Sequence, residues 1–222
     1  QAGRGAHTTE RNACLFIIFI VIVEKKITVI VIFFSTVIGT VIGMHCNALH
    51  HDKVKGGNND IVMGLLGVSG VKNLCGQDLV SAAKMIDRKE EADIGRTGEL
   101  AEPMTFKDVI GLVADKLDMS IRQIHAAGDL DKKISKIGCC TGAGSDLAHL
   151  AAGCGCQLFI TGDVKYHEAQ DVVQAGLCII DAGHYGTEKF FGEAMKKILD
   201  KKLDEKVQVV ASEVVLDPFV VL

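Results

Sequence analysis

The chain has 222 residues, a net charge of -4 and 23% charged residues, enough length to bury a sizeable core as one large domain or two small ones. The balance excludes a nucleic-acid binder driven by a basic field, since the lysine pairs Lys132-Lys133, Lys196-Lys197 and Lys201-Lys202 are interleaved with acids and read as solvated helix faces. Eight cysteines show no disulfide spacing and no CxxC pair, so buried free thiols in a reducing, cytoplasmic compartment are expected; a zinc site using Cys154 and Cys156 is the alternative.

Residues 1–13 are polar and carry no motif. Cys14–Val23 is a run of ten apolar residues, Glu24-Lys25-Lys26 interrupts it, and Ile27–Met44 follows as 18 residues without charge. That length reaches the lower limit of a membrane span, about 17–25 residues. The composition, Ile- and Val-rich and interrupted by Ser35, Thr36, Gly39, Thr40 and Gly43, suits buried strands of a sheet covered on both faces. Buried strands are the preferred reading, with a membrane-associated hairpin or helix as the other.

His45–Asp60 turns abruptly polar. It reads as a loop leading into a helix capped by Asn58, Asn59 or Asp60, with Ile61, Val62, Leu65 and Leu66 as its apolar face and Gly67 and Gly70 ending it. Leu79–Ile86 is a strand or short helix, and a glycine-spaced stretch follows at Gly95–Leu100. Pro103 and Thr105 open a helix over Phe106–Leu117, and Ile121–Ala126 is the next strand.

From Ile134 the pattern becomes regular. Strands at Ile134–Cys140, Gln157–Thr161 and Leu177–Asp181 each run into a polar turn and then a helix. The helices reach Ala152, cover Tyr166–Ala175 and cover Thr187–Leu203, and Val207–Val210 closes as a strand. Strand–turn–helix repeats define an α/β fold, and ligands in such sheets gather outside the carboxyl ends of the strands.

The three turns hold the residues of interest. His184 and Glu188 are four apart, with Glu188 expected in a first helical turn; an imidazole and a carboxylate suit Zn, Mn or Fe, although two ligands are too few. The second turn offers Asp163, Lys165, Tyr166 and His167, the last a candidate general acid or base. The first turn, GAGSD, presents backbone N–H groups suited to an anion. No P-loop and no GxSxG elbow is present. His45, His50, His51 and Asp52 form the remaining concentration of ligand types.

Five segments, DKVKGGNNDIVMGLLGV, GRTGELAEPMTF, KIGCCTGAGSDL, ITGDVKYHEAQ and GLCIIDAGHYGTE, occur in the order found in the Nif-three-like dinuclear metal-centre family and resemble it from about Asp52 to Leu222. Members of that family carry the name of homologues of a type-two GTP cyclohydrolase. The resemblance implies a two-lobed α/β protein with mixed sheets, helices on their faces and the metal site between the lobes. Residues 1–44 would be a divergent hydrophobic part of the first lobe, 45–130 the central part with the His/Asp loop, and 131–222 the βα repeats. It further implies up to two divalent ions, with Asp52, His184 and Glu188 as ligands, His167 nearby as the catalytic proton carrier, a nucleotide substrate and a homohexamer. A non-catalytic metal-binding, delivery or regulatory protein is the alternative.

Two departures stand out. The family places a His four residues before its central Asp; here Ala48 stands there, leaving His45 on a longer loop, or His50 or His51, as its replacement. The family's adjacent histidine pair followed by proline has no counterpart before His45.

Overall fold

The computed structural model describes residues 55–74, 94–203, 207–215 and 217–221 in full, and the strand backbone of 15–23, 26–34 and 44–47. The chain divides into two compact units, Gln1–Leu49 with Gly192–Leu216, and His50–Phe191 with Asp217–Leu222.

The first unit is built on a four-stranded sheet. Strands β1 (Leu15–Val23) and β2 (Lys26–Phe34) pair antiparallel, Leu15 opposite Phe34 and Val23 opposite Lys26. Strand β3 (Met44–Asn47) pairs antiparallel with β1, and β10 (Val207–Ala211) runs parallel to β2. The first apolar run from Leu15 and the second as far as Phe34 are therefore strands, as their β-branched composition favours, and residues 35–43 lie outside the described residues. No helix among the described residues is long and apolar enough to cross a membrane.

The second unit holds a mixed six-stranded sheet in the order β4-β5-β7-β8-β9-β6. Its strands are β4 (Ser69–Asn73), β5 (Arg96–Thr105), β6 (His125–Ala127), β7 (Lys133–Ala143), β8 (Leu158–Gly162) and β9 (Cys178–Asp181). Strands β7, β8 and β9 run parallel, and the outer pairings are antiparallel. The period-two alternation of a strand sends successive side chains to opposite faces, and each face has its own core. Ile137, Cys139, Leu158, Ile160, Cys178 and Ile180 pack with helices α1 (Asn58–Leu65) and α2 (Phe106–Lys116), through Val62, Met63, Phe106, Val109 and Val113. Cys140, Phe159 and Ile179 point the other way, onto Leu150 and Ala151 of α3 (Ala148–Gly153) and Val172 of α4 (Tyr166–Gln174). Burial on both faces is why β8 and β9 read as continuous apolar runs.

Several boundaries depart from expectation for identifiable reasons. The glycine-spaced stretch at Gly95–Leu100 opens β5, and Pro103 lies inside that strand instead of opening the helix. Pairing of β5 with β7 shifts register between Glu99 and Met104, an irregularity that tolerates a residue without an N–H. Thr105 alone caps α2, its hydroxyl accepting from the Asp108 N–H at 3.1 Å. Helix α1 begins after Gly57; Asn58 and Asn59 lie inside it and are buried, and the Asn59 amide accepts from the Thr141 N–H instead of capping the helix. The expected strand at Ile121–Ala126 is a 3-10 turn, Ile121–Gln123, closed by a Ser120–Gln123 capping box, and only His125–Ala127 is extended. The last long helix is two: α5 (His184–Glu188) and α6 (Phe191–Lys202), so Glu188 ends a short helix instead of starting a long one. Leu79–Ile86, His50, His51 and Asp52 lie outside the described residues, and of His45 only the backbone in β3 is described.

Candidate metal-binding edge of the sheet

Strands β7, β8 and β9 are parallel, so the turns after Ala143, Gly162 and Asp181 meet at one edge of the sheet. Polar side chains bind these turns to one another. Ser145 Oγ of the first turn donates to Glu168 Oε2, on the helix after the second, at 2.7 Å. Asp181 joins the second and third, accepting from the Val164 N–H at 3.0 Å and from the Gly183 N–H at 2.9 Å. Thr187, in the helix of the third turn, accepts from the Gly142 N–H at 2.9 Å. Asn59 of α1 accepts from the Thr141 N–H at 2.8 Å and ties that helix to the same edge.

Inside this frame His184 stands between two carboxylates. Its Nδ1 is 2.7 Å from Asp163 Oδ2, and its Nε2 is 3.5 Å from Glu188 Oε2, too long for a hydrogen bond. Glu188 is 3% exposed, and its Oε2 has no hydrogen-bond partner among the described residues. The hydrogen bond from His184 holds the Asp163 carboxyl below the usual carboxylate range, against the opposing effect of burial.

Two glycines make room for this arrangement. Gly142 has φ +66°, and a Cβ there would sit 2.5 Å from Glu188 Oε1 and 3.1 Å from His184 Nε2. A Cβ on Gly162 would lie 2.6 Å from the carbonyl carbon of Gly183 and 2.7 Å from the backbone nitrogen of His184. The second and third turns thus touch backbone to backbone. Asp163, just beyond Gly162, adopts φ +57°, a conformation few L-residues accept but Asp tolerates.

The GAGSD turn is spent on the frame. The N–H groups of Gly142 and Gly144 go to the hydroxyls of Thr187 and Thr161, at 2.9 and 3.0 Å, so an anion cradle built on those two donors is not what this turn provides. Burial pushes the Glu168 carboxyl up, but hydrogen bonds from Ser145 and Lys165 outweigh it and hold the group below its ordinary range.

Of the residues singled out in the sequence, His184 and Glu188 are brought together. His167 is exposed on the first turn of α4, its Nδ1 3.1 Å from Gln170 Oε1 and its ring edge-on to Tyr166. What the second turn supplies to His184 is Asp163. Asp181, Thr161 and Thr187 carry the frame and were not singled out; the hint of Asp181 is a lone acid closing the apolar strand CIID. Among the described residues no group of three or more His, Cys, Asp or Glu side chains gathers as a metal set. Cys139, Cys140, Cys156 and Cys178 are buried and Cys154 is half-buried, none of them in a disulfide among the described residues.

Fold and edge together define a class: a mixed α/β protein with a histidine–carboxylate pair at the carboxyl ends of parallel strands. Residues 34–218 match the Duf34/NIF3 (NGG1p interacting factor 3) family, and the chain belongs to that family. It is 33% identical over 168 residues to a Clostridium perfringens protein named GTP cyclohydrolase 1 type 2 homolog, covering 76% of this chain and 60% of that one. A Clostridium acetobutylicum protein of the same name is 34% identical over 171 residues, with the same shares of 76% and 60%. The chain therefore spans about 60% of the length of these curated relatives. A crystal structure of a Bacillus cereus protein related to NIF3 superposes with a TM-score of 0.63 at 20% identity, covering 76% of this chain and 70% of that one, a similarity of fold.

Proposed function

We propose that the protein binds divalent metal at the sheet edge through His184 Nε2 and Glu188, with Asp52 as a third ligand, and acts as a metal-dependent hydrolase on a nucleotide. One observation carries this reading: the buried Glu188 Oε2, without a hydrogen bond among the described residues and facing an imidazole nitrogen across 3.5 Å. A buried carboxylate oxygen is costly to leave unpaired, and a cation is the partner its surroundings suit. Imidazole with carboxylate oxygens suits Zn, Mn or Fe, and up to two ions are proposed. Such ions lower the pKa of bound water and polarise the atom under attack.

The chain's own residues would then divide the work. His184 and Glu188 bind, Asp163 and Thr187 hold the turn that carries them, and His167, with Nδ1 held by Gln170, exchanges protons through Nε2. The nucleotide substrate is suggested by the relatives' name, GTP cyclohydrolase 1 type 2 homolog. The proposal includes two lobes with the metals between them, assembly as a hexamer, and a cytoplasmic setting in keeping with described cysteines that form no disulfide. A second reading, metal storage or delivery without turnover, is favoured by the exposure of His167 and its engagement by Gln170.

Metal content of the purified chain, measured by mass spectrometry, together with GTP turnover, tests both. Bound metal that disappears in His184→Ala and Glu188→Ala, with ring opening of GTP, supports the hydrolase. Metal without turnover of any nucleoside triphosphate leaves the storage reading, and metal content unchanged in both variants sinks the site assignment.

A further inference from the structure

We propose that Asp163 is a positioning residue for His184: its carboxylate holds the imidazole as the Nδ1–H tautomer, so that the lone pair of Nε2 is turned toward Glu188 and any cation held there. The inference deepens the metal-binding reading and rests on it for the consequence at the metal. The tautomer itself is a property of the metal-free chain.

The geometry decides which nitrogen carries the proton. Asp163 Oδ2 lies 2.7 Å from His184 Nδ1, and an ionised carboxylate can only accept, so Nδ1 donates. The opposite tautomer would set a nitrogen lone pair against a carboxylate oxygen at that distance. On the other side of the ring, Nε2 and Glu188 Oε2 stand 3.5 Å apart without a hydrogen bond. With the proton on Nδ1, the lone pair of Nε2 lies on the side of Glu188 Oε2, where the two atoms can share a cation. A ligating histidine whose other ring nitrogen is bonded to a carboxylate is fixed in both orientation and basicity.

The backbone points to the same role. Asp163 is held at φ +57°. Its position is set from both sides: Gly162 leaves no room between the second and third turns, and the next residue, Val164, gives its N–H to Asp181. A strained conformation persists where the surroundings over-determine it, and such residues cluster at functional sites. The Asp163 side chain is 53% exposed, so the contact itself contributes little to folding. A structural role and a positioning role therefore predict different outcomes.

Two variants of the full chain separate them. Asp163→Gly deletes the carboxylate and relieves the left-handed backbone; Asp163→Asn keeps the shape and a neutral acceptor. Long-range nitrogen–proton NMR of the metal-free chain, labelled at histidine, reads the tautomer at a pH well above the ordinary imidazole value of ~6.5. The His184 signals are assigned by their loss in His184→Gln. In the wild type, Nδ1 carries the proton. In Asp163→Gly the proton moves to Nε2 or averages between the two, and Asp163→Asn falls between. Titration with Co²⁺, followed by its visible absorption, is expected to show affinity reduced ~10–100-fold in Asp163→Gly, and less in Asp163→Asn. The urea midpoint of Asp163→Gly does not fall. A wild-type proton on Nε2, an unchanged tautomer in Asp163→Gly, or equal Co²⁺ affinity in wild type and Asp163→Gly overturns the positioning role. Co²⁺ binding that is absent from the wild type, or that survives His184→Gln, instead overturns the metal reading, and the tautomer result stands apart from it.

Discussion

Replacing Gly162 by alanine tests the contact on which the candidate site is built. The new Cβ would lie 2.6 Å from the Gly183 carbonyl carbon, 2.7 Å from the His184 nitrogen and 2.9 Å from the Gly183 oxygen. All three are backbone atoms, so no side-chain rotation relieves the clash, and Asp181 holds the Gly183 N–H in place. Overpacking costs ~1–3 kcal/mol, and with backbone on the receiving side the upper end applies, about 3 kcal/mol. For a chain of this size that lowers Tm by ~6–12 °C. Gly176→Ala is the control: φ is +83° and nothing lies within 4 Å, so it bears only left-handed strain, ~1–2 kcal/mol. Urea unfolding followed by far-ultraviolet circular dichroism is the assay, because the chain has no Trp. If Gly162→Ala loses no more stability than Gly176→Ala at equal slope, the close approach of the second and third turns is wrong.

Gly142→Ala is expected to act mainly on the site: its Cβ meets the ends of Glu188 and His184, which can swing aside, so metal content falls sharply while stability drops only to about the level of Gly176→Ala, ~1–2 kcal/mol. Metal analysis beside urea midpoints checks it, and retained metal would contradict it. Asp60→Ala removes a carboxylate that lies 2.6 Å from Arg96 Nε and accepts from the Gly56 N–H. With Arg96 buried, the loss should be near the low end of a broken buried pair, ~3 kcal/mol, and a loss under 1 kcal/mol in the same assay would refute it. Burial pushes the Cys156 thiol up, so iodoacetamide should label Cys154 well before Cys156 in the native chain and both alike in urea, read by mass spectrometry of peptides; equal native rates would refute the buried setting.

The parts of the fold that sequence periodicity revealed are those where one physical effect dominates. Leu158, Phe159 and Ile160, or Cys178, Ile179 and Ile180, are apolar without interruption because both faces of the central strands are covered, and no other signal competes. Strand β5 was hidden because GRTGELAEPMT has the glycines and proline of a loop. They are tolerated there for local reasons: a Cβ on Gly98 would meet Val68 Cγ1 at 2.5 Å and the Ser69 oxygen at 2.7 Å, and Pro103 lies where pairing with β7 is already irregular. The break between α5 and α6 was equally invisible, since a helical apolar spacing continues through Phe190 and Phe191.

The candidate site divides in the same way. His184 and Glu188 were legible because their spacing and residue types carry chemistry on their own. Asp163 and Asp181 were not legible as partners, because their roles come from bonds between turns that lie 17 to 21 residues apart in sequence. Those bonds close a ring: Ser145 with Glu168 joins the first turn to the second, Asp181 and the Asp163–His184 pair join the second to the third, and Thr187 joins the third back to the first. A ring of this kind keeps its shape when one link is cut, because the remaining links still fix both ends. Removing the Thr187 hydroxyl or the Ser145 hydroxyl singly should therefore cost less than removing both, with a coupling between them of the size found in shared networks, ~0.5–3 kcal/mol. Thr187→Val, Ser145→Ala and the double variant, compared by urea midpoint, measure that coupling. Strict additivity would mean that the turns are held separately, and that the buried Oε2 of Glu188 faces His184 without help from the frame around it.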